Sequence, residues 1–138
     1  MRIFLDANVL FAAAQSPTGR SALLISFAKE GQCTCMTSPH AITEAQRNLE
    51  ARYPQAMERF HEVRTIVHTV PEATRNSIQW ALQQGLPDND APILAAAVQA
   101  KADVLVTGDK THFGHLFGKT KQSVQILSLK ETLELFLH

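Results

Sequence analysis

Short apolar runs of β-forming residues alternate along this chain with longer stretches of helical periodicity, and this alternation constrains the fold most. The strand-like runs are residues 2–5, 33–37, 65–70, 103–107 and 124–128. Strands that alternate with helices form a mostly parallel sheet, with helices on both faces and right-handed crossovers. We therefore predict an α/β fold, a three-layer α/β/α sandwich around a central, mostly parallel sheet of about five strands.

The predicted helices lie between these runs. Helical spacing begins near Gly19 and stops at Gly31, and another helix begins at Ser38-Pro39, where a hydroxyl N-cap precedes a proline. Further helical patterns cover residues 57–64, 73–84, 91–101 and 129–137. Residues 110–120 form the longest irregular stretch, and we expect it to be mobile or to lie over a functional site.

Length and hydropathy predict a single cytoplasmic domain. The 138 residues suit one domain over residues 1–138. No apolar run is long enough to span a bilayer, so we expect no membrane partner. The first apolar run is too short for a signal peptide, because Asp6 interrupts it. The formal net charge is zero, so any contact with nucleic acid must be local.

Four acids are predicted to meet at one edge of the sheet. Asp6 ends the first strand, and Asp109 follows the strand that ends at Thr107. Asp90 lies at the start of the helix that leads into that strand, and Glu44 lies in the second turn after Ser38-Pro39. In open α/β sheets, functional residues collect beyond the carboxyl ends of the strands. We therefore predict that these carboxylates converge.

Each acid also has a simpler interpretation. Asp90 fits a helix cap, Asp109 a turn residue and Glu44 a solvated helix residue. Asp6 is harder to explain in this way, since a carboxylate after a buried central strand is costly unless it is paired or binds a metal. Converging carboxylates repel one another and indicate a cation site. An all-oxygen site suits Mg²⁺ or Mn²⁺, and such a site suits phosphodiester hydrolysis.

These residues resemble the PIN-domain family, and in particular its VapC-like toxin ribonucleases. The resemblance spans nearly the whole chain and is carried by Phe4-Leu5-Asp6-Ala7-Asn8, Glu44, the segment Asp90–Ala97, and Leu105-Val106-Thr107-Gly108-Asp109. It implies a five-stranded parallel sheet and a divalent-metal-dependent endoribonuclease. Its RNA-cleaving site would contain Asp6, Glu44, Asp90 and Asp109, with Asp6, Asp90 and Asp109 as ligands of Mg²⁺ or Mn²⁺. Asn8 and Thr107 would orient the ligands or a water.

The resemblance also implies partners. Many small members of the family are toxins paired with a small antitoxin protein, and many are homodimers. The chain departs from the family at His112, where an acid is often found. A histidine is a poor substitute for a hard oxygen ligand, so His112 either contacts phosphate or packs in the loop. We take His112 and Lys110 as possible substrate contacts.

An alternative remains open at the level of sequence. A PIN-like domain can also be a catalytically weak or inactive module that binds RNA or protein. The intact set of four acids favours the enzyme. Metal-dependent cleavage that is lost in EDTA would distinguish the two functions.

Overall fold

The computed structural model describes residues 1–137, which form a six-stranded sheet flanked by helices. The strands are, in chain order, β1 (Arg2–Leu5), β2 (Thr34–Thr37), β3 (His68–Thr69), β4 (Val104–Val106), β5 (Thr120–Lys121) and β6 (Val124–Leu127). The helices are α1 (Ala7–Gln15), α2 (Arg20–Lys29), α3 (Pro39–Arg52), α4 (Met57–Ile66), α5 (Arg75–Leu82), α6 (Ala91–Gln99), α7 (Lys110–Phe113) and α8 (Leu129–Glu134). The predicted α/β fold class is confirmed.

The sheet contains the expected parallel strands and one addition. The strand order is β3-β2-β1-β4-β6-β5, and every neighbouring pair is parallel except β5 with β6. The sequence did not predict β5. The two residues that join it to β6, Gln122 and Ser123, have φ values of 49° and 70°. A hairpin turn with two positive φ values usually contains Asn or Gly, so this turn carried no recognisable signal.

The apolar strands β1 and β4 form the buried centre of the sheet. Residues 3–5 have no exposed surface, and Val104, Leu105 and Val106 are almost as deeply buried. Burial on both faces is typical of central parallel strands and explains why both runs are apolar throughout. The chain adds β2 and β3 on one side of β1, and then β4 and β6 on the other. The crevice beyond the carboxyl ends of β1 and β4 is therefore a topological switch point, where ligands bind in such folds.

Helix α1 was not predicted from the sequence. Asp6 is its N-cap, and an Asp6 carboxylate oxygen accepts a hydrogen bond of 2.7 Å from the amide of Ala7. The buried residues Val9, Leu10, Ala13 and Ala14 follow at helical spacing. Asp6 had been interpreted only as a metal ligand, so its capping signal was overlooked.

The strand predicted at residues 65–70 was too long. Helix α4 continues through Thr65 and Ile66, although both residues are β-branched. Only His68 and Thr69 pair in the sheet, at its edge, where both are exposed. Phe60 and Val63 bury the inner face of α4, and this packing prevails over the local β-propensity.

The prediction that residues 110–120 form an irregular stretch was wrong. This segment contains α7, a 3₁₀ turn at Gly114–Leu116 and the start of β5. Phe113 and Leu116 are buried and anchor the segment in the core. The predicted start of α3 at Ser38-Pro39 is confirmed, and Ser38 Oγ accepts a hydrogen bond from the Ala41 amide. Across residues 1–137, no helix combines the length and the apolar character that crossing a membrane requires.

Candidate metal centre

Asp6 lies at the switch point because β1 ends directly before it. Its amide donates to the carbonyl of Val106 in β4, so the ladder between the two strands extends to the site. Asp6 and Asp109 lie at the same carboxyl edge of the sheet, as predicted from the sequence. Asp6 is only 3% exposed.

The Asp6 carboxylate is held by three donors. Its Oδ1 accepts from the Ala7 amide at 2.7 Å. Its Oδ2 accepts from Thr107 Oγ1 at 2.8 Å and from Asn8 Nδ2 at 3.3 Å. Asn8 is itself fixed, because its Oδ1 accepts from the Gly108 amide at 2.9 Å. Asn8 and Thr107, the two supporting residues proposed from the sequence, therefore contact the acid that they were expected to orient.

Burial makes the Asp6 carboxylate costly to ionise. Desolvation is the largest effect and raises the pKa of Asp6 to about 6. The hydrogen bonds from Thr107 and Ala7 act in the opposite direction, and the nearby charges of Glu44 and Asp90 raise the pKa further. A cation beside this carboxylate would favour its charged form.

Asp90 and Asp109 meet at His112. The Nδ1 atom of His112 lies 2.8 Å from Asp109 Oδ2 and 3.0 Å from Asp90 Oδ2. Asp109 also caps α7, since its Oδ1 accepts from the His112 amide at 3.0 Å. His112 therefore bridges two carboxylates, which differs from the alternative of simple packing in the loop. Its side chain is 47% exposed, so it remains accessible to a ligand.

Asp90 occupies the N-cap position of α6, but its side chain makes no capping hydrogen bond. The simpler interpretation of Asp90 as a helix cap therefore does not account for its carboxylate. Burial raises the pKa of Asp90, and the charges of Asp109 and Glu44 raise it further, while His112 lowers it. The Asp90 carboxylate is thus directed toward the cluster rather than toward the end of its own helix.

Glu44 completes the set of four acids. It projects from α3, and its Oε1 accepts a hydrogen bond of 3.3 Å from Asn89 Nδ2. A cavity of about 180 Å³ is bordered by all four predicted acids, and its lining residues are Asp6, Ala7, Asn8, Phe11, Glu44, Asn48, Arg52, Asp90 and Asp109. The predicted acids are thus brought together around one space.

The donor set fits a divalent cation. One ligand atom each from Asp90, Asp109 and His112 lie within 4.8 Å of one another, so a single ion could contact all three. Asp6, predicted from the sequence as a ligand together with Asp90 and Asp109, lies outside this tightest group but lines the same cavity. Carboxylate oxygens predominate, which suits Mg²⁺ or Mn²⁺, and the His112 nitrogen is the one softer donor.

The sequence matches one family. The family model described as "PIN domain" matches residues 2–111, a range that contains all four acids. This chain belongs to the PIN-domain family. No curated protein matches the chain.

Solved structures support the PIN fold. PAE2754 from Pyrobaculum aerophilum is 22% identical with a TM-score of 0.69, and the match covers 98% of this chain and 88% of that one. A chain of VapBC2 from Rickettsia felis, solved with a promoter DNA fragment, is 16% identical with a TM-score of 0.67 over 93% and 98% of the two chains. VapC20 from Mycobacterium tuberculosis, a sarcin-ricin loop cleaving toxin, is 18% identical with a TM-score of 0.58 over 79% and 91%.

Three lining residues of this PIN domain were missed by the sequence analysis. Asn48 and Arg52 follow Glu44 at intervals of four residues on α3, so helical spacing alone could have placed them beside it. Phe11 lies on α1, the helix that was not predicted. Lys110, a predicted substrate contact, is exposed at the start of α7 and does not line the cavity.

Proposed function

We propose that this PIN domain is a divalent-metal-dependent endoribonuclease that hydrolyses RNA phosphodiester bonds. The proposal is carried by one observation, the four carboxylates from separate elements that line one cavity of about 180 Å³. Neighbouring carboxylates repel one another, and Asp6 lies in this cavity although burial disfavours its charged form. A bound cation removes both costs. The similarity to VapC20, described as cleaving the sarcin-ricin loop, supports RNA as the substrate.

The residues divide into ligands and orienting groups. Asp6, Asp90 and Asp109 would hold Mg²⁺ or Mn²⁺. Thr107 and Asn8 fix the Asp6 carboxylate through the hydrogen bonds described above. When bound, the cation supplies Lewis acidity that activates water and stabilises charge on the phosphate. Glu44, which is only partly buried, would accept a proton from the attacking water at its carboxylate.

We assign His112 and Lys110 the role of contacting the RNA substrate. His112 uses Nδ1 between the two aspartates, and within residues 1–137 its Nε2 makes no hydrogen bond, which leaves that atom free for a phosphate oxygen. Lys110 is exposed beside Asp109 and would contribute positive charge near an incoming phosphate.

The proposed biological role is that of a toxin controlled by a small antitoxin protein. Similar chains from Rickettsia felis and nontypeable Haemophilus influenzae come from VapBC complexes, and these support the proposal. Family habit further suggests a homodimer, and an RNA-cleaving toxin would act in the cytoplasm. Sedimentation of the protein alone tests for the homodimer. Sedimentation after co-expression with the product of the neighbouring gene tests for the antitoxin complex. A monomer that forms no complex would contradict this role while leaving the ribonuclease proposal intact.

Metal-dependent cleavage tests the enzymatic proposal. The purified protein should cleave RNA in the presence of Mg²⁺ or Mn²⁺, and EDTA should abolish this cleavage. Glu44→Gln should lower the rate about a hundredfold or more, because it removes the proton acceptor. Glu50→Gln is the matched control, since Glu50 is exposed on the same helix and its side chain accepts a hydrogen bond only from Gln46 among the described residues. RNA binding without metal-dependent cleavage would favour the alternative of an inactive binding module.

A further inference from the structure

Arg52 is the only lysine or arginine among the described residues that line the acidic cavity. It lies in the last turn of α3, two helical turns beyond Glu44. An RNA strand that reaches four carboxylates meets strong repulsion, and the chain as a whole offers no compensating charge because its formal net charge is zero. A cation placed inside the cavity is therefore functionally informative.

The N–H groups of the Arg52 guanidinium have no partner among the described residues. Within residues 1–137, every ion pair shorter than 4.0 Å involves His112, and none involves Arg52. Nor does its guanidinium donate a hydrogen bond to any described group. Glu44 lines the same cavity, yet the two side chains do not pair. The N–H groups of Arg52 are thus available to a ligand.

Two aromatic rings hold Arg52 in place. Its guanidinium carbon lies 5.5 Å from the centroid of the Phe11 ring and 5.7 Å from that of Tyr53. The rings pack edge to face with their centroids 5.7 Å apart. Arginine stacks well on aromatic faces, and a guanidinium that is already restrained loses less entropy when it binds. Both rings are partly buried, and both pack against the core.

We infer that Arg52, backed by Phe11 and Tyr53, binds a backbone phosphate of the RNA next to the bond that is cut. This inference rests on the proposed function and adds a substrate-positioning residue to it. The planar guanidinium matches phosphate oxygens in a two-point contact, which is the geometry that favours arginine over lysine at such sites. The phosphate would lie at the rim of the cavity, with the carboxylates on its other side.

A second cavity adjoins the first along α3. It measures about 400 Å³ and shares Glu44 and Asn48 with the first. Arg47 lines it, directly precedes Asn48 in the sequence and is exposed on α3. The RNA strand would therefore run along α3, from Arg52 past Asn48 toward Arg47.

Binding of a short fluorescein-labelled single-stranded RNA tests the assignment, measured by anisotropy in an Asp109→Asn background, which should slow cleavage strongly. Arg52→Gln should raise the Kd about tenfold. It should also reduce the slope of log K against log salt by about 0.7, because one phosphate contact is lost. Arg52→Lys should keep the salt slope with an intermediate Kd. Arg64→Gln is the matched control, because Arg64 is exposed on α4 and lines neither cavity.

The outcomes separate this inference from the proposed function. If Arg52→Gln binds with the same Kd and salt slope as Arg64→Gln, Arg52 does not contact phosphate, whether or not the parent protein cleaves RNA. If the parent protein neither binds nor cleaves RNA, the proposed function fails and this inference fails with it. Thermal melts show whether Arg52→Gln is folded, and Arg52→Lys provides the test if it is not.

Discussion

At the scale of single residues, Asp6 holds a carboxylate where water can scarcely solvate it. The donors Ala7, Thr107 and Asn8 offset part of the cost, but the pKa still rises to about 6. The same hydrogen bonds orient the carboxylate at the carboxyl end of β1. Asp6 therefore contributes a helix cap at all times and, in our proposal, a metal ligand when the cation is bound.

The raised pKa of Asp6 predicts a stability that depends on pH. Its pKa rises from 3.8 to about 6 on folding, so its contribution is fully present below about pH 4 and is lost as pH rises through about 6. In EDTA, the free energy of unfolding of the wild type should fall relative to Asp6→Asn by up to about 3 kcal/mol between about pH 4 and about pH 7. Urea unfolding across this range measures the difference.

The pH dependence is more informative than the absolute order of stability. Asp6 Oδ2 accepts from Thr107 and Asn8, and an amide NH₂ at that atom would face both donors. Asp6→Asn should therefore be the less stable protein at low pH. A difference that does not change with pH would show that burial does not raise the pKa of Asp6.

At the scale of elements, the sequence predicted what depends on local pattern. The apolar runs of β1 and β4 identified central strands, and the acids that follow each run identified the functional edge. The position of Glu44 near this edge was predicted from the helix start at Ser38-Pro39. These features need only strand burial, helix caps and the rule that parallel strands share a carboxyl edge.

The missed features depend on residues with two roles, on an atypical turn or on contacts distant in sequence. Helix α1 was missed because Asp6 is both its cap and a site residue. Strand β5 is only two residues long and follows from pairing with β6 across an atypical turn. The bridge from His112 to Asp90 joins α7 to α6, and the rings behind Arg52 come from different segments. No local pattern encodes such contacts.

Asp109 caps helix α7, His112 lies within it, and Phe113 anchors it in the core with no exposed surface. Phe113→Ala should lower the free energy of unfolding by about 3–5 kcal/mol, since it leaves a cavity in the core. Phe113→Leu should cost less. Urea unfolding measures both values. A loss below about 1 kcal/mol for Phe113→Ala would mean that the packing of Phe113 does not anchor the α7 segment.

At the scale of the whole molecule, the chain is neutral but its charges are separated. Four acids line the cavity, and Arg52 is the one lysine or arginine beside them among the described residues. A divalent ion that binds only the folded protein should stabilise it by about 2.7 kcal/mol at a concentration one hundred times its Kd. In our proposal, metal binding, folding and catalysis would therefore be coupled through the same carboxylates.

The most direct test compares two aspartates at opposite ends of β4, as Asp109→Asn and Asp103→Asn. Asp109 lies at the proposed centre, whereas Asp103 precedes the strand, is exposed and accepts a hydrogen bond of 2.7 Å from the Arg2 amide. The RNA cleavage rate and the rise in Tm with Mn²⁺ are measured on the same preparations. We expect Asp103→Asn to retain both, and Asp109→Asn to lose about a hundredfold or more in rate and most of the Mn²⁺ effect. Equal cleavage and equal Mn²⁺ stabilisation in the two variants would contradict the metal-centre account.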